Sequence, residues 1–318
     1  MPRDKGREND GSRNRRTVIL STAKDVALEG GTEMENGKPT IDRIDHGVLP
    51  SNDLGRAHRF YSTFMGGELD HLTNLNLRGL NREVPQILFY TLANHKGWGL
   101  ALQDFPIAST PARPLEGVVY GFEVAAENLT DVVCAAEEGK LKFHGPLDYA
   151  APSPIKQSVF VLDPDGNTVE LSIRRDPIGD KPQGRIVPLR RISHVRVEVT
   201  DLKQGKVWYR DTFGLSEAQQ VPGEEQITLS VPNSGQLVIL HRVDQVAERS
   251  TRAIKGPHVD FRIAPDLYPP ILEKFNRREY YWGPDPTKIP WHEQGGHTVY
   301  GYDPFGNRIQ IGHRFGHQ

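Results

Sequence analysis

The chain is poor in sulfur. It has one cysteine, Cys134, and three methionines among 318 residues. One thiol excludes an intrachain disulfide framework and fits a reducing cytoplasm. Cys134 falls in LTDVVCAAEEGK, a predicted helix with no local feature that would lower a thiol pKa. It is expected to be a small buried apolar residue rather than a nucleophile. Charge excess is lacking too. Lys and Arg number 39 against 41 Asp and Glu, a formal net charge of −2. That balance, with cations scattered along the chain, gives no electrostatic case for nucleic acid or a membrane surface as partner. No apolar run approaches the roughly 20 residues a spanning helix needs. The short Val18-Ile19-Leu20 near the basic N-terminus is too brief for a signal peptide.

Residues 1–40 also lack periodicity. MPRDKGRENDGSRNRR is polar and mixed in charge, so this segment is expected to be a disordered tail. Met34 lies just before the first folded signal and is a candidate start; the sequence does not say whether residues 1–33 belong to the native chain.

What the chain does have is internal similarity. Ile44-Asp45-His46 is followed by Asn52-Asp53-Leu54 and a helix pattern ending in Gly; Ile192-Ser193-His194 is followed by Thr200-Asp201-Leu202 and the same. Phe60, Tyr61 and Phe64 in one helix match Trp208, Tyr209 and Phe213 in the other, and at helical spacing these aromatics are core packing. Gly117 and Gly256 each open a further strand–helix pattern. Each of these runs into a hairpin, FVLDPDGNTVELSI from Phe160 and TVYGYDPFGNRIQI from Thr298. In both hairpins turn chemistry separates two strands, and the final strand alternates, so that Glu170 and Gln310 stand at equivalent positions.

The chain therefore reads as four βαβββ units of an α+β fold, pairing into two open half-barrels. The first pair spans 41–175 and the second 191–315. Residues 176–190, rich in Pro, Gly and charge, form a linker.

These motifs together resemble the vicinal oxygen chelate superfamily, the group of glyoxalase I, the bleomycin- and fosfomycin-resistance proteins and the type I extradiol dioxygenases. The likeness is carried by I-x-H-x5-[NT]-D-L, the aromatic helix ending in Gly, and D-P-x-G-N-x-[VI]-[EQ]-[LI], each in duplicate, and it covers 41–315. Four units resemble the extradiol enzymes most. By that resemblance the second pair would hold Fe(II) through His194, His258 and Gln310, with Mn, Zn or Ni as other divalent occupants. Tyr300 and His292 would face the substrate. Gln236 falls where an acid–base His is expected, and His241 is the nearest histidine. The activity implied is ring cleavage of a catechol-like aromatic by O2, with a glyoxalase-like lyase or isomerase and a metal-free binding protein as alternatives. His46 and Glu170 match ligand positions of the first pair. Val119-Tyr120 stands where its second His would be, so that pair is expected to be structural. Two imidazoles and one oxygen donor leave open positions for substrate and O2. Gln310 is a neutral oxygen donor with an amide NH2 that needs its own partner.

Trp282, Trp291, Tyr300, Tyr302 and Phe305 cluster in the last unit and suit an aromatic ligand. His144 is a further candidate for the first pair, while His297, His313 and His317 read as surface or turn residues. Exposed edges of such open sheets often pair, which leaves room for a homo-oligomer without specifying the oligomeric state.

Overall fold

Asp53 and Asp201 start helices where the sequence places them. Each carboxylate accepts the backbone N–H three residues on, Arg56 and Gln204, both at 2.9 Å. The helices end at glycines in the left-handed region, Gly66 at φ +69° and Gly214 at φ +70°. In this computed structural model, residues 40–74, 86–92, 99–104, 117–177, 189–218, 225–247, 257–275, 278–282 and 297–313 are described. The expected tail, most of the linker, Trp291, His292 and His317 lie outside the described residues, as do the side chains of Trp282, His297 and His313.

The four units are all present. The first is β1 (Arg43–Ser51), α1 (Leu54–Arg59) continued by a π-helical turn (Phe60–Phe64), β2 (Glu68–Asn74), β3 (Gln86–Thr91) and β4 (Gly99–Asp104). The second is β5 (Val119–Glu123), α2 (Leu129–Glu138), β6 (Phe143–Asp148), β7 (Ile155–Leu162) and β8 (Thr168–Arg174). The third is β9 (Ile192–Val199), α3 (Leu202–Phe213), β10 (Ser216–Glu217), β11 (Gln226–Ser230) and β12 (Leu237–Arg242). The fourth is β13 (His258–Arg262), α4 (Tyr268–Leu272), β14 (Arg278–Trp282), β15 (His297–Tyr302) and β16 (Arg308–His313).

They form two eight-stranded sheets, β14-β15-β16-β13-β1-β4-β3-β2 and β10-β11-β12-β9-β5-β8-β7-β6. The fold is thus α+β, four βαβββ units in two half-barrels. The partners differ from the expectation, however. The first unit shares a sheet with the fourth and the second with the third, so each sheet draws on both sides of the linker. The seams are antiparallel pairs of first strands, β1 with β13 and β5 with β9, and both carry a one-residue irregularity, at Asp45 and at Ser193.

Strand alternation sorts the side chains. Val259, Phe261, Ile309 and Ile311 join the main apolar core, as do Tyr120, Phe122, Val195 and Val197 from the other sheet. The intervening residues, His258, Asp260, Gln310, Glu170, His194 and Arg196 among them, take the opposite face. The aromatic helices pack as expected: Phe60, Tyr61, Tyr209 and Phe213 are buried in that core, with Phe64 and Trp208 partly buried against it. Cys134 corrects its expectation and is exposed, because α2 buries Leu129, Val132 and Ala136 along another face. Tyr120 reaches across from the second unit to the backbone of β13, donating to the His258 carbonyl. Gly47 leaves it room: a Cβ there would lie 2.5 Å from the Tyr120 ring. No helix of the described residues is long and apolar enough to cross a membrane.

The repeated D-P-x-G-N turns hold consecutive units together. Asp163 accepts the Tyr61 hydroxyl at 2.9 Å, and Asn167 donates to Asp163 and to the Pro50 carbonyl. Asp303 accepts the Tyr209 hydroxyl at 3.0 Å, and Asn307 donates to Asp303 and the Glu198 carbonyl. Burial pushes both carboxyls up to about 6, outweighing the hydrogen bonds from Asn167 and Asn307 that pull the other way. A carboxyl with a folded pKa above its unfolded one favours folding most when protonated. Its contribution is therefore full below the ordinary value of 3.8 and lost as pH rises through about 6. Unfolding free energy is expected to fall between about pH 4 and 7, by on the order of 3 kcal/mol per carboxyl. Denaturant titrations across that range should show the fall and should show it reduced in Asp163→Asn. A flat profile would mean that the hydrogen bonds cancel the effect of burial, and a rise that they outweigh it.

Candidate functional site

The half-barrel shared by the first and fourth units gathers the polar residues of four neighbouring strands. His46 on β1 pairs with Asp260 on β13, Asp260 with Gln310 on β16, and Gln310 with Tyr300 on β15. Cross-strand partners share a face, so these four side chains make one row. The irregularity at Asp45 adds a second carboxylate beside His46. The His46 Nδ1 lies 3.1 Å from Asp45 Oδ2 and 3.2 Å from Asp260 Oδ2. One donor atom from each of these three buried residues falls within 4.8 Å of the others. Arg262 and Arg43 lie 3.4 and 3.6 Å from Asp45 Oδ1. Gly312 leaves the space the second carboxylate occupies: a Cβ there would be 3.1 Å from Asp260 Oδ1.

One step along β13, the His258 Nε2 meets the Gln310 Oε1 at 2.9 Å. Tyr300 packs edge-on against the His258 ring, with centroids 5.1 Å apart, and the Arg308 guanidinium lies 4.0 Å over the Tyr300 ring. Val48, Ile87, Phe89 and Ala101 form a separate small apolar cluster, and His46 meets Phe89 edge-on at 6.0 Å. The donor set of one imidazole and two carboxylates, with a second imidazole and an amide oxygen beside it, fits a divalent cation. Of the candidates from the last unit, Tyr302 is buried and Phe305 packs partly buried against the main core.

The half-barrel shared by the second and third units is built differently. Glu170 is fully buried. Its Oε2 receives the Arg196 Nε at 2.6 Å and faces the His194 Nε2 at 2.9 Å; its Oε1 receives the Arg196 Nη2 at 3.2 Å and the Ser158 hydroxyl. Burial works to raise the Glu170 pKa, but the Arg196 charge, followed by His194, outweighs it and holds the carboxyl well below the usual range. Burial lowers the His194 pKa against the pull of Glu170. Both carboxylate oxygens are engaged, and a guanidinium already supplies the positive charge beside them. This arrangement does not fit a metal.

The expected ligand trio of His194, His258 and Gln310 is therefore split between two sheets. His258 and Gln310 come together; His194 belongs with Glu170. The reason is the exchange of partners, which puts β9 against β5 rather than against the fourth unit. Its ring fits there because the paired residue is Gly121, where a Cβ would lie 2.0 Å away. His241 sits on β12 in the same half-barrel and lines a cavity of about 160 Å³ with Arg196, Gln226 and Phe160. That location separates it from Tyr300. Gln236 is a fastener between sheets, accepting the Ile44 N–H at 2.9 Å and donating to the Ile44 and Ile192 carbonyls. His144 is exposed on β6. Sequence reasoning missed Asp45, Asp260 and Arg196. Each flanks a candidate histidine, at i−1 or i+2, and an inward histidine with a charged residue two along the strand was the available signal.

No family model matches the chain. A curated relative, virulence protein STM3117 of Salmonella typhimurium, is 26% identical over 133 residues, covering 42% of this chain and 84% of that protein. Among solved structures, a putative dioxygenase from Bacillus subtilis aligns with TM-score 0.63 at 13% identity, covering 87% of each chain. Glyoxalase I from Zea mays aligns with TM-score 0.57 at 16% identity, covering 85% of this chain and 92% of that one. With its duplicated motifs, four βαβββ units and two half-barrels, the chain has the fold of the vicinal oxygen chelate superfamily.

Proposed function

We propose that this chain is a divalent-metal-dependent enzyme with its site in the half-barrel of the first and fourth units, and that it opens a catechol-like aromatic ring with O2. The observation that supports this is the row His46, Asp260, Gln310 and Tyr300, with Asp45 and His258 beside it. Asp260 supplies the carboxylate that Gln310 lacks. His46, Asp45 and Asp260 would hold the metal, with His258 and Gln310 next to them. Fe(II) suits a set that joins imidazole and carboxylate and leaves positions open. When bound, the metal supplies Lewis-acid polarisation of two neighbouring substrate oxygens and a place for O2.

The chain's own groups account for the rest. Asp45 and Asp260 fix the orientation of the His46 ring through Nδ1. Tyr300 and His258, in edge contact, present a hydroxyl and an imidazole for orienting a phenolic oxygen and moving its proton. Val48 and Phe89 offer an apolar wall to an aromatic ring. The fold likeness to a putative dioxygenase agrees with this reading.

A second reading is a lyase or isomerase of the glyoxalase kind. It is favoured by the neutral Gln310 and by an imidazole flanked by two carboxylates, an arrangement suited to proton abstraction. The test is to load the protein with Fe(II) under anaerobic conditions, measure bound metal, and follow O2 uptake with a panel of catechols. Bound iron with O2 uptake and a yellow product supports the first reading. Bound Mn, Zn or Ni without O2 uptake moves the assignment to the second. Tight binding of aromatics without any metal would overturn both in favour of a binding protein.

A further inference from the structure

At one end of the second half-barrel, where β5, β8 and β9 lie side by side, three arginines are buried around one carboxylate. Arg174, Arg190 and Arg191 are each about 95% buried, and Glu123 is fully buried. Arg191 Nε lies 2.9 Å from Glu123 Oε2, and Arg190 Nη1 lies 3.8 Å from Oε1. Arg191 Nη1 also donates to the Ser234 carbonyl at 2.8 Å. Arg174 reaches Asp176 at 3.3 Å, but that carboxylate is 74% exposed and its charge is screened by water. Among the described residues, three buried guanidinium groups stand against one buried carboxylate, an excess of two buried positive charges.

The hydrogen bonds are incomplete in the same place. Among the described residues, Arg174 Nε and Nη1, Arg190 Nε and Arg191 Nη2 are buried N–H groups with no hydrogen-bond acceptor. Burial and the neighbouring Arg191 charge hold the Arg174 pKa below its ordinary value, against the pull of Asp176. A buried unpaired charge is strongly disfavoured, and an orphaned buried donor forfeits its hydration. Four such donors on three clustered cations call for acceptors with negative charge. A carboxylate would neutralise only half of the excess. A phosphate group carries close to two charges and at least three acceptor oxygens.

From this geometry we propose that Arg174, Arg190 and Arg191 form a binding site for a tetrahedral dianion of the phosphate class, separate from the metal site of the other half-barrel. The ligand is either free inorganic phosphate or the phosphoryl group of a small molecule; both offer the same oxygens to the guanidinium groups.

The full-length chain should be titrated by calorimetry with inorganic phosphate and, separately, with glycerol phosphate, at constant ionic strength held with chloride. One-site binding of either supports the proposal, and the preferred titrant identifies the source. Arg174→Gln removes a cation that pairs with the exposed Asp176, and should weaken phosphate binding about tenfold. Glu123→Gln removes the competing carboxylate and should tighten binding by a similar factor, a gain that damage to the fold would not produce. If Glu123→Gln fails to fold, Arg174→Gln with an intact melting transition is the deciding variant. Equal behaviour in phosphate and chloride overturns the proposal and leaves the donors to water. Unchanged affinity in a folded Arg174→Gln overturns it as well.

Discussion

Replacing Glu170 with alanine should lower the unfolding free energy by about 3–5 kcal/mol, the usual result of removing one member of a buried ion pair. Glu170 is fully buried and meets Arg196 through two bonds, at 2.6 and 3.2 Å, while His194 and Ser158 take the remaining positions. Without it, the Arg196 guanidinium stays in the half-barrel without its carboxylate, while its bond to the Gln226 Oε1, at 3.0 Å, joins it only to a neutral amide. Removing both charges should be much milder. Glu170→Gln with Arg196→Met leaves no unpaired charge, so the double variant should recover most of the loss. The pH sense is fixed as well. Because the Glu170 pKa is depressed when folded, its contribution is present above its ordinary value of 4.5 and is lost as pH falls. Urea titrations of the single and double variants decide the matter. A loss under about 1 kcal/mol in the single variant would mean that the pair is not what orders this half-barrel.

The second large effect concerns metal affinity. His46→Ala and Asp260→Ala should each weaken binding of Mn(II) or Fe(II) by about a hundredfold or more, since even partners that only orient a ligand are worth 10–100-fold. Asp45→Asn keeps an oxygen donor while losing its charge, and should weaken binding about 10–100-fold. His194→Ala should leave metal binding unchanged, because His194 faces Glu170 and Arg196 in the other sheet. Competition with a chelating indicator gives the affinities, and a circular-dichroism melt confirms that each variant folds. Metal lost in His194→Ala and kept in His46→Ala would move the centre to the wrong half-barrel and end the proposal. His258→Ala is a finer test. A hundredfold loss makes His258 a ligand, and unchanged affinity with lost activity places it on the substrate.

Much of this was written in local sequence. The helix starts at Asp53 and Asp201, the glycine ends and the D-P-x-G-N turns are set by bonds spanning three or four residues, so a short window contains their cause. The inward placing of Glu170, His194, His258 and Gln310 follows from alternation along single strands. Local pattern is therefore enough to give four βαβββ units and the residues that face inward. It does not determine which units share a sheet. The four first strands are buried over nearly their whole length, so their patterns do not mark a partner, and pairing depends on contacts between residues far apart in the chain. Only the tertiary structure settled that β1 lies against β13 and β9 against β5. That choice joins His46 to Asp260 and Gln310, separates His194 from them, and sets Arg196 beside Glu170 where a metal was the alternative.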